Sequence, residues 1–253
     1  RPEFQDRWSA RTYYTRMRIE PLQAQGVEAL LADRLGDDIS LAPLRRLLLK
    51  QTEGNPFFLE ECVRTLVESD ALVGTRGAYR LVAPITSIAL PVTVQSVLAA
   101  RIDRLAPEDK RLLQSASVIG KDFSLPLLRE IADASGENLD RSLANLQAAE
   151  FIYETRLFPD PEYTFKHALT HDVAYGSLLA ERRNALHVAI VAAIERLFAE
   201  RLPEYVDRLA YHAGRGADWE KAYKYGVQAG RRAMARSANQ AALEAFELAL
   251  NAI

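Results

Sequence analysis

The chain has one cysteine, Cys62. A lone cysteine excludes an internal disulfide framework and fits a reducing cytosol. Cys62 stands inside an apolar pattern, so it is expected to be buried and inert. No run approaches the roughly 18 consecutive apolar residues of a membrane-spanning helix, and no stretch is laid out like a signal peptide. A cytoplasmic protein without a membrane partner is the expectation. An excess of one charge is also missing: 32 basic and 34 acidic side chains leave a net charge of −2. That balance does not call for nucleic acid or an anionic membrane. The chain has no Walker A sequence, so no loop of its own can cradle nucleotide phosphates. No paired carboxylates stand in a clear catalytic setting, and no enzyme activity is expected of the chain by itself. It starts at Arg1 in mid-pattern and ends at Ile253 within a helical pattern, and is read as a piece of a longer protein.

What is present is a folded protein's share of apolar side chains, 49% over 253 residues. That length allows one large domain or two to three small ones. The organising stretch is Gly54-Asn55-Pro56-Phe57-Phe58-Leu59-Glu60-Glu61. Gly54 suits a backbone angle that other residues avoid. Asn55 suits an N-cap, and Pro56 the first helical position. Phe57, Phe58, Val63 and Leu66 supply apolar anchors. Glu60 and Glu61 sit near the positive end of the helix dipole. Taken alone, the stretch also reads as nothing more than a well-capped helix.

Before it, Tyr13 to Ile19 alternates like a strand. A helix from Glu20-Pro21-Leu22 to about Leu35 turns Leu22, Val27, Leu30, Leu31 and Leu35 inward, and Gly36 stops it. Ser40 is expected to cap a second helix through Leu41, Leu44, Leu47 and Leu48. Gly54 to Ser69 is the third, and together they make a small helical lid. Next, Leu72-Val73, the turn-like Gly74-Thr75-Arg76-Gly77, and Tyr79 to Val82 read as a β-hairpin. Pro91 opens a helix through Val94, Val97, Leu98, Ile102 and Leu105. Its Arg101, Asp103 and Arg104 read as a solvated face.

A winged helix follows. Pro107 starts a helix bearing Leu112, Leu113, Ala116, Val118 and Ile119, which Gly120-Lys121-Asp122 breaks. Ser124 caps Leu125 to Ile131. A third helix holds Leu139, Leu143 and Leu146. Phe151 to Thr155 and Tyr163 to Phe165 form two strands around Pro159-Asp160-Pro161. In a DNA-binding version the third helix would be the reader. From Glu137 to Glu150 its charged residues are Glu137, Asp140, Arg141 and Glu150, net −2. Phosphate approach needs a basic surface, so no nucleic-acid partner is expected.

His167 and His171 stand four apart, the spacing of one helix face. A zinc protease would need a glutamate directly after the first, where Ala168 stands, and no third ligand is evident. No metal is therefore expected, and core or capping histidines are the plain alternative. Arg182 to His187 leads into a long helix with Leu186, Ile190, Ile194 and Leu197 inward. Pro203 begins another, with Val206, Leu209 and Ala210. From Trp219 the chain turns Ala-rich. Gly230, Ala242, Phe246 and Ala249 keep the 12, 4 and 3 spacings of a tetratricopeptide repeat. Small residues there let two helices approach closely while Phe246 fills the gap. A single repeat is not stable alone, so Trp219 to Ile253 reads as the first unit of an array with a protein-binding groove.

Gly54 to Glu61, Tyr153 to Phe158, and Phe165-Lys166-His167-Ala168-Leu169-Thr170-His171 resemble the STAND class of signal-transduction ATPases. These are AAA-like P-loop proteins with a Gly-x-Pro motif in the lid. The likeness is greatest to bacterial multidomain proteins that join a class III adenylate/guanylate cyclase domain to such an ATPase and a tetratricopeptide array. It covers nearly the whole chain. It implies a lid region at 1–105, a winged-helix domain at 106–180, and a helical linker with a first repeat at 181–253, mainly α throughout. It implies that Gly54, Asn55 and Pro56 hold nucleotide, with the Pro56 ring on the adenine. It implies that His167 reaches a bound diphosphate from across the same cleft. Lys166 and Ala168 stand where the better-known version has Met and Asp. Arg1, in an Arg-Pro-Glu-Phe that follows the ATPase core in the family, is either a phosphate-sensing arginine or a solvated one. The cofactor implied is ATP or ADP with Mg in the full-length parent, and none in this chain alone. The partners implied are proteins on the repeat helices, and upstream ATPase and cyclase domains in cis. Two other readings remain: the matching segment of a maltose-activator-type transcription regulator, and a protein-binding scaffold without nucleotide. The sequence upstream of Arg1 separates the three.

Overall fold

The computed structural model describes residues 21–82, 84, 88, 90–132, 136–156 and 160–253. The expected strand at Tyr13 to Ile19, Arg1, and Leu157 to Pro159 lie outside the described residues. The protein is mainly helical, with twelve α-helices and two small antiparallel sheets among the described residues. It divides into two compact units at Val97/Leu98.

The first unit is a three-helix cluster carrying a hairpin. The helices are α1 (Ala24–Leu35), α2 (Ala42–Thr52) and α3 (Pro56–Glu68). Val27, Leu31 and Leu35 of α1 meet Leu44 and Leu48 of α2 and Leu59, Cys62 and Leu66 of α3 in one buried cluster. These are the i, i+3/i+4, i+7 positions that place apolar side chains on one helix face. Leu22 is exposed and precedes α1, so it takes no part as an inward helical residue. The cap before α2 also differs from the expectation. Asp38, not Ser40, accepts the bond, from the Ser40 amide at 2.8 Å, and a short 3-10 turn at Ile39–Leu41 leads into α2. A carboxylate two residues ahead can reach that amide, whereas Ser40 is already inside the turn. Strands β1 (Leu72–Thr75) and β2 (Ala78–Leu81) pair antiparallel around Arg76-Gly77. The turn is two residues tighter than the sequence suggested, because Gly74 and Thr75 pair with Tyr79 and Ala78. α4 (Val94–Asp103) follows, and the division between the units falls within it.

The second unit begins with α5 (Pro107–Ile119), β3 (Asp122–Ser124), α6 (Leu125–Ile131), α7 (Glu137–Ala148), β4 (Ile152–Arg156) and β5 (Glu162–Phe165). The strands form one sheet in the order β3-β5-β4, which completes a winged helix. β3 is short and broken by turn residues in the sequence, so only its pairing with β5 reveals it. Ser124 occupies the N-cap position of α6, but its side chain makes no capping bond. Phe123, Phe151 and Phe165 fill the core behind the sheet, with Leu112, Leu113, Leu128 and Leu143 from the helices.

Arg101 corrects the solvated-face reading: it is 3% exposed. Its Nη2 donates to the Ala149 carbonyl at 2.9 Å, and its guanidinium lies 4.7 Å from the Phe151 ring centroid. A planar, delocalised cation can stack on an aromatic face while it bonds a carbonyl.

The remainder is a helical arm. It comprises α8 (Ala168–Gly176), α9 (Ala180–Leu197), α10 (Leu202–Arg215), α11 (Trp219–Ala235) and α12 (Asn239–Leu250). α9 buries Leu186, Ile190 and Ile194, whereas Leu197 at its end is partly exposed. α11 and α12 pack as a tetratricopeptide-like hairpin. A Cβ at Gly230 would lie 2.4 Å from the Phe246 ring, so Phe246 fills the space that the missing side chain leaves.

Candidate functional site

The resemblance directs attention to four residues among those described: Gly54, Asn55 and Pro56 in the first unit, and His167 in the second. Arg1 lies outside the described residues. Each unit carries its part of the candidate site on its own scaffold.

The corner before α3 is tightly built. Glu53 ends α2 in a left-handed conformation with φ 49°, and Gly54 follows with φ 77°. The Leu22 amide donates to the Gly54 carbonyl at 2.8 Å. A Cβ at Gly54 would stand 2.2 Å from the Leu22 carbonyl oxygen, so no other residue fits there without moving the chain. Asn55 then caps α3, its Oδ1 accepting from the Phe58 amide at 3.2 Å. Pro56 takes the first helical position. Phe58 and Leu59 anchor this first turn in the core, while Asn55 and Pro56 stay exposed. The outcome is a rigid corner that shows an apolar pyrrolidine ring and an amide to its surroundings. Glu60 is held by Arg34 at 2.5 Å, and Glu61 is buried beside Cys62. Burial, with the charge of Glu61, pushes the Cys62 thiol up to about 12.

In the second unit His167 is the N-cap residue of α8, with φ −134° and ψ 139°. It therefore precedes the helix instead of sharing a helix face with His171. Its carbonyl accepts from the Thr170 amide at 3.0 Å, while its ring does not cap the helix. The ring is half-buried at the end of β5. His171 bonds Asp172 at 3.0 Å through Nδ1, and packs edge-on against Phe165 with centroids 5.3 Å apart. No group of three or more potential metal ligands occurs among the described residues.

Sequence reasoning missed what lies one helix further on. His171 stacks with Tyr175 at 6.3 Å, and the Tyr175 hydroxyl meets His187 Nε2 at 3.1 Å. His187 Nδ1 lies 2.8 Å from His212 Nδ1, with both residues buried. A continuous line of rings thus joins β5 and α8 to α9 and α10. Burial first, then the charges of Arg215 and Arg183, lower the His187 pKa to about 4. His212 is lowered as well, by burial, by His187 and by Arg208. The i, i+4 spacing of His171 and Tyr175 was the one legible signal. The 25-residue separation of His187 and His212 carries no pattern of its own.

No family model matches the chain. An uncharacterized protein of Rhizobium meliloti (strain 1021) is 25% identical over 259 aligned positions, covering 99% of this chain. The chain spans about a quarter (24%) of the length of that relative. No helix among the described residues is long and apolar enough to cross a membrane.

Proposed function

We propose that this chain is the nucleotide-gating and signal-relay segment of a STAND-type ATPase linked to a class III adenylate/guanylate cyclase, and is not catalytic by itself. The observation that carries the reading is the Gly54-Asn55-Pro56 corner. Its backbone tolerates no side chain at the glycine, its asparagine is spent on the cap, and its proline is exposed. A rigid apolar ring of that kind suits the face of an adenine. His167, half-buried at the head of α8, can donate a hydrogen bond to a β-phosphate oxygen. The phosphate loop itself would come from the preceding part of the parent. ATP or ADP, with Mg, supplies the phosphate charge that such a loop neutralises.

In this reading the parent's closed state holds ADP, and a signal releases it by shifting the population of closed and open forms. The ring contacts from Phe165 through His171, Tyr175 and His187 to His212 support a relay role. They tie the helix that His167 begins to the helical arm by direct contact. The arm's hairpins would offer the groove for a protein partner.

The test is His167→Ala in the full-length parent. A hydrogen bond to a charged acceptor is worth about 1.5–3 kcal/mol. Its loss weakens ADP binding roughly ten- to a hundredfold and raises basal output. A lower melting temperature with ADP affinity per folded molecule unchanged would sink this reading.

A further inference from the structure

In the second unit a cavity of about 310 Å³ opens between the three-stranded sheet and the arm. Its walls come from β3, the start of α6, β4, β5 and the connection between them, the turn between α9 and α10, and the first half of α10. That volume is at the small end of ligand sites, suited to a metabolite of amino-acid size and not to a nucleotide. Three of its six charged residues are already neutralised. Arg156 pairs with Glu162 at 3.1 Å, and Arg201 pairs with Glu204 at 2.5 Å.

Three charges remain. Arg208 is half-buried against the cavity and, among the described residues, has no hydrogen-bond or ion-pair partner. Asp122 and Asp160 are exposed and equally without partners among the described residues. An arginine keeps its proton even where burial disfavours it, so Arg208 presents a cation that lacks its anion. Burial does pull its pKa below the ordinary value, against the weaker opposing influence of Tyr205 and Glu162. Tyr205 stacks on Phe198 with ring centroids 4.2 Å apart and gives the cavity an apolar wall.

A plain anion would satisfy Arg208 but meet two carboxylates. A plain cation would satisfy the carboxylates but meet Arg208. We propose that this cavity binds a small zwitterion of the amino-acid class, its carboxylate on Arg208 and its ammonium toward Asp122 and Asp160. A guanidinium matches a carboxylate with two parallel N–H donors, which fixes one end of the ligand. The proposal uses neither the lid corner nor His167, and stands independently of the nucleotide reading. A bound ligand would bridge the winged-helix sheet and α10, and so stiffen their junction.

The experiment is titration of the purified chain by ligand-observed NMR and calorimetry. The probes are the twenty free amino acids, the N-acetyl and amide-capped forms of any that bind, and inorganic phosphate. Saturable millimolar or tighter binding of at least one free amino acid is expected. Capping either end should weaken it at least about tenfold, as each removes one charge-assisted contact. Arg208→Gln should abolish binding, with Arg208→Lys retaining part of it, both variants keeping the parent's circular dichroism spectrum. If Arg208→Gln unfolds the chain, Arg208→Lys and the Asp122→Asn/Asp160→Asn pair decide: unchanged affinity in both overturns the proposal. Phosphate binding in preference to every amino acid overturns it too, as does the absence of saturable binding by any probe.

Discussion

His187 and His212 meet Nδ1 to Nδ1 at 2.8 Å, buried where α9 packs on α10. Two nitrogens at that distance share one proton, so one donates and the other accepts. Both rings cannot be imidazolium without facing proton to proton. Arg183, Arg208 and Arg215 add positive charge nearby, while the Tyr175 hydroxyl takes up the remaining nitrogen of His187.

The pair makes stability depend on pH. In the unfolded chain both histidines titrate near 6.5, whereas His187 in the folded chain titrates at about 4 and His212 also lies below its ordinary value. The unfolded state therefore takes up protons first as pH falls. The stabilisation is complete above the unfolded value and is lost progressively on acidification. By about pH 5 the loss from His187 alone should be on the order of 2 kcal/mol, and His212 adds to it. Urea midpoints measured from neutral pH to about pH 5 check this, against a His187→Phe/His212→Leu double variant. An equally steep decline in the double variant would assign the effect to carboxylates elsewhere.

The corner before α3 should tolerate change at Asn55 better than at Gly54. Gly54→Ala meets both a positive φ and the Leu22 carbonyl, and should cost roughly 1–3 kcal/mol. Asn55→Ala loses only the cap to the Phe58 amide, about 1 kcal/mol, and Asn55→Asp should restore it. Chemical denaturation of the three variants ranks them. Equal losses for Gly54→Ala and Asn55→Ala would contradict the close approach described above.

Gly230→Ala tests the hairpin of α11 and α12. The added methyl would press into the Phe246 ring, and overpacking of this sort costs about 1–3 kcal/mol. Phe246→Leu in the same chain should recover part of the loss, because the two positions share one space. Hydrogen exchange should show the loosening concentrated in α11 and α12.

Cys62 should resist thiol reagents in the folded chain. It is fully buried, and a thiol with a pKa of about 12 supplies almost no thiolate near neutrality. A disulfide reagent added under native conditions should react only as fast as the first unit opens, and promptly and stoichiometrically in denaturant. Rapid labelling of the native protein would place the thiol outside the core.

Most of the architecture was legible because it rests on local rules. The Asn55-Pro56 start of α3, the Arg76-Gly77 hairpin, the helices of the winged helix and the small-residue spacing from Gly230 to Ala249 are all short-range patterns. The larger misses are long-range, while the Ser40 cap and the hairpin turn were misjudged locally, where Asp38 reaches the Ser40 amide and Gly74 and Thr75 join the strand. Arg101 looked solvated because its partners, Ala149 and Phe151, lie 48 and 50 positions away. β3 was invisible because three residues show no periodicity until β5 pairs with them. Of the candidate site, the Asn55 cap was legible, since capping is decided within one helical turn, whereas the place of His167 ahead of α8 was not.

By its sequence alone, then, this protein was determined to be mainly helical, with a buried thiol, a third helix led by Pro56 and a closely packed α11–α12 hairpin. Those properties follow from backbone preference and from apolar spacing, which act over a few residues. Tertiary structure alone decided that His187 faces His212, that Arg101 is buried and that Arg208 lines a cavity with no hydrogen-bond or ion-pair partner among the described residues. Burial and Coulomb interactions depend on which groups meet in space. Residues 25 or more positions apart meet only after the helices between them have packed.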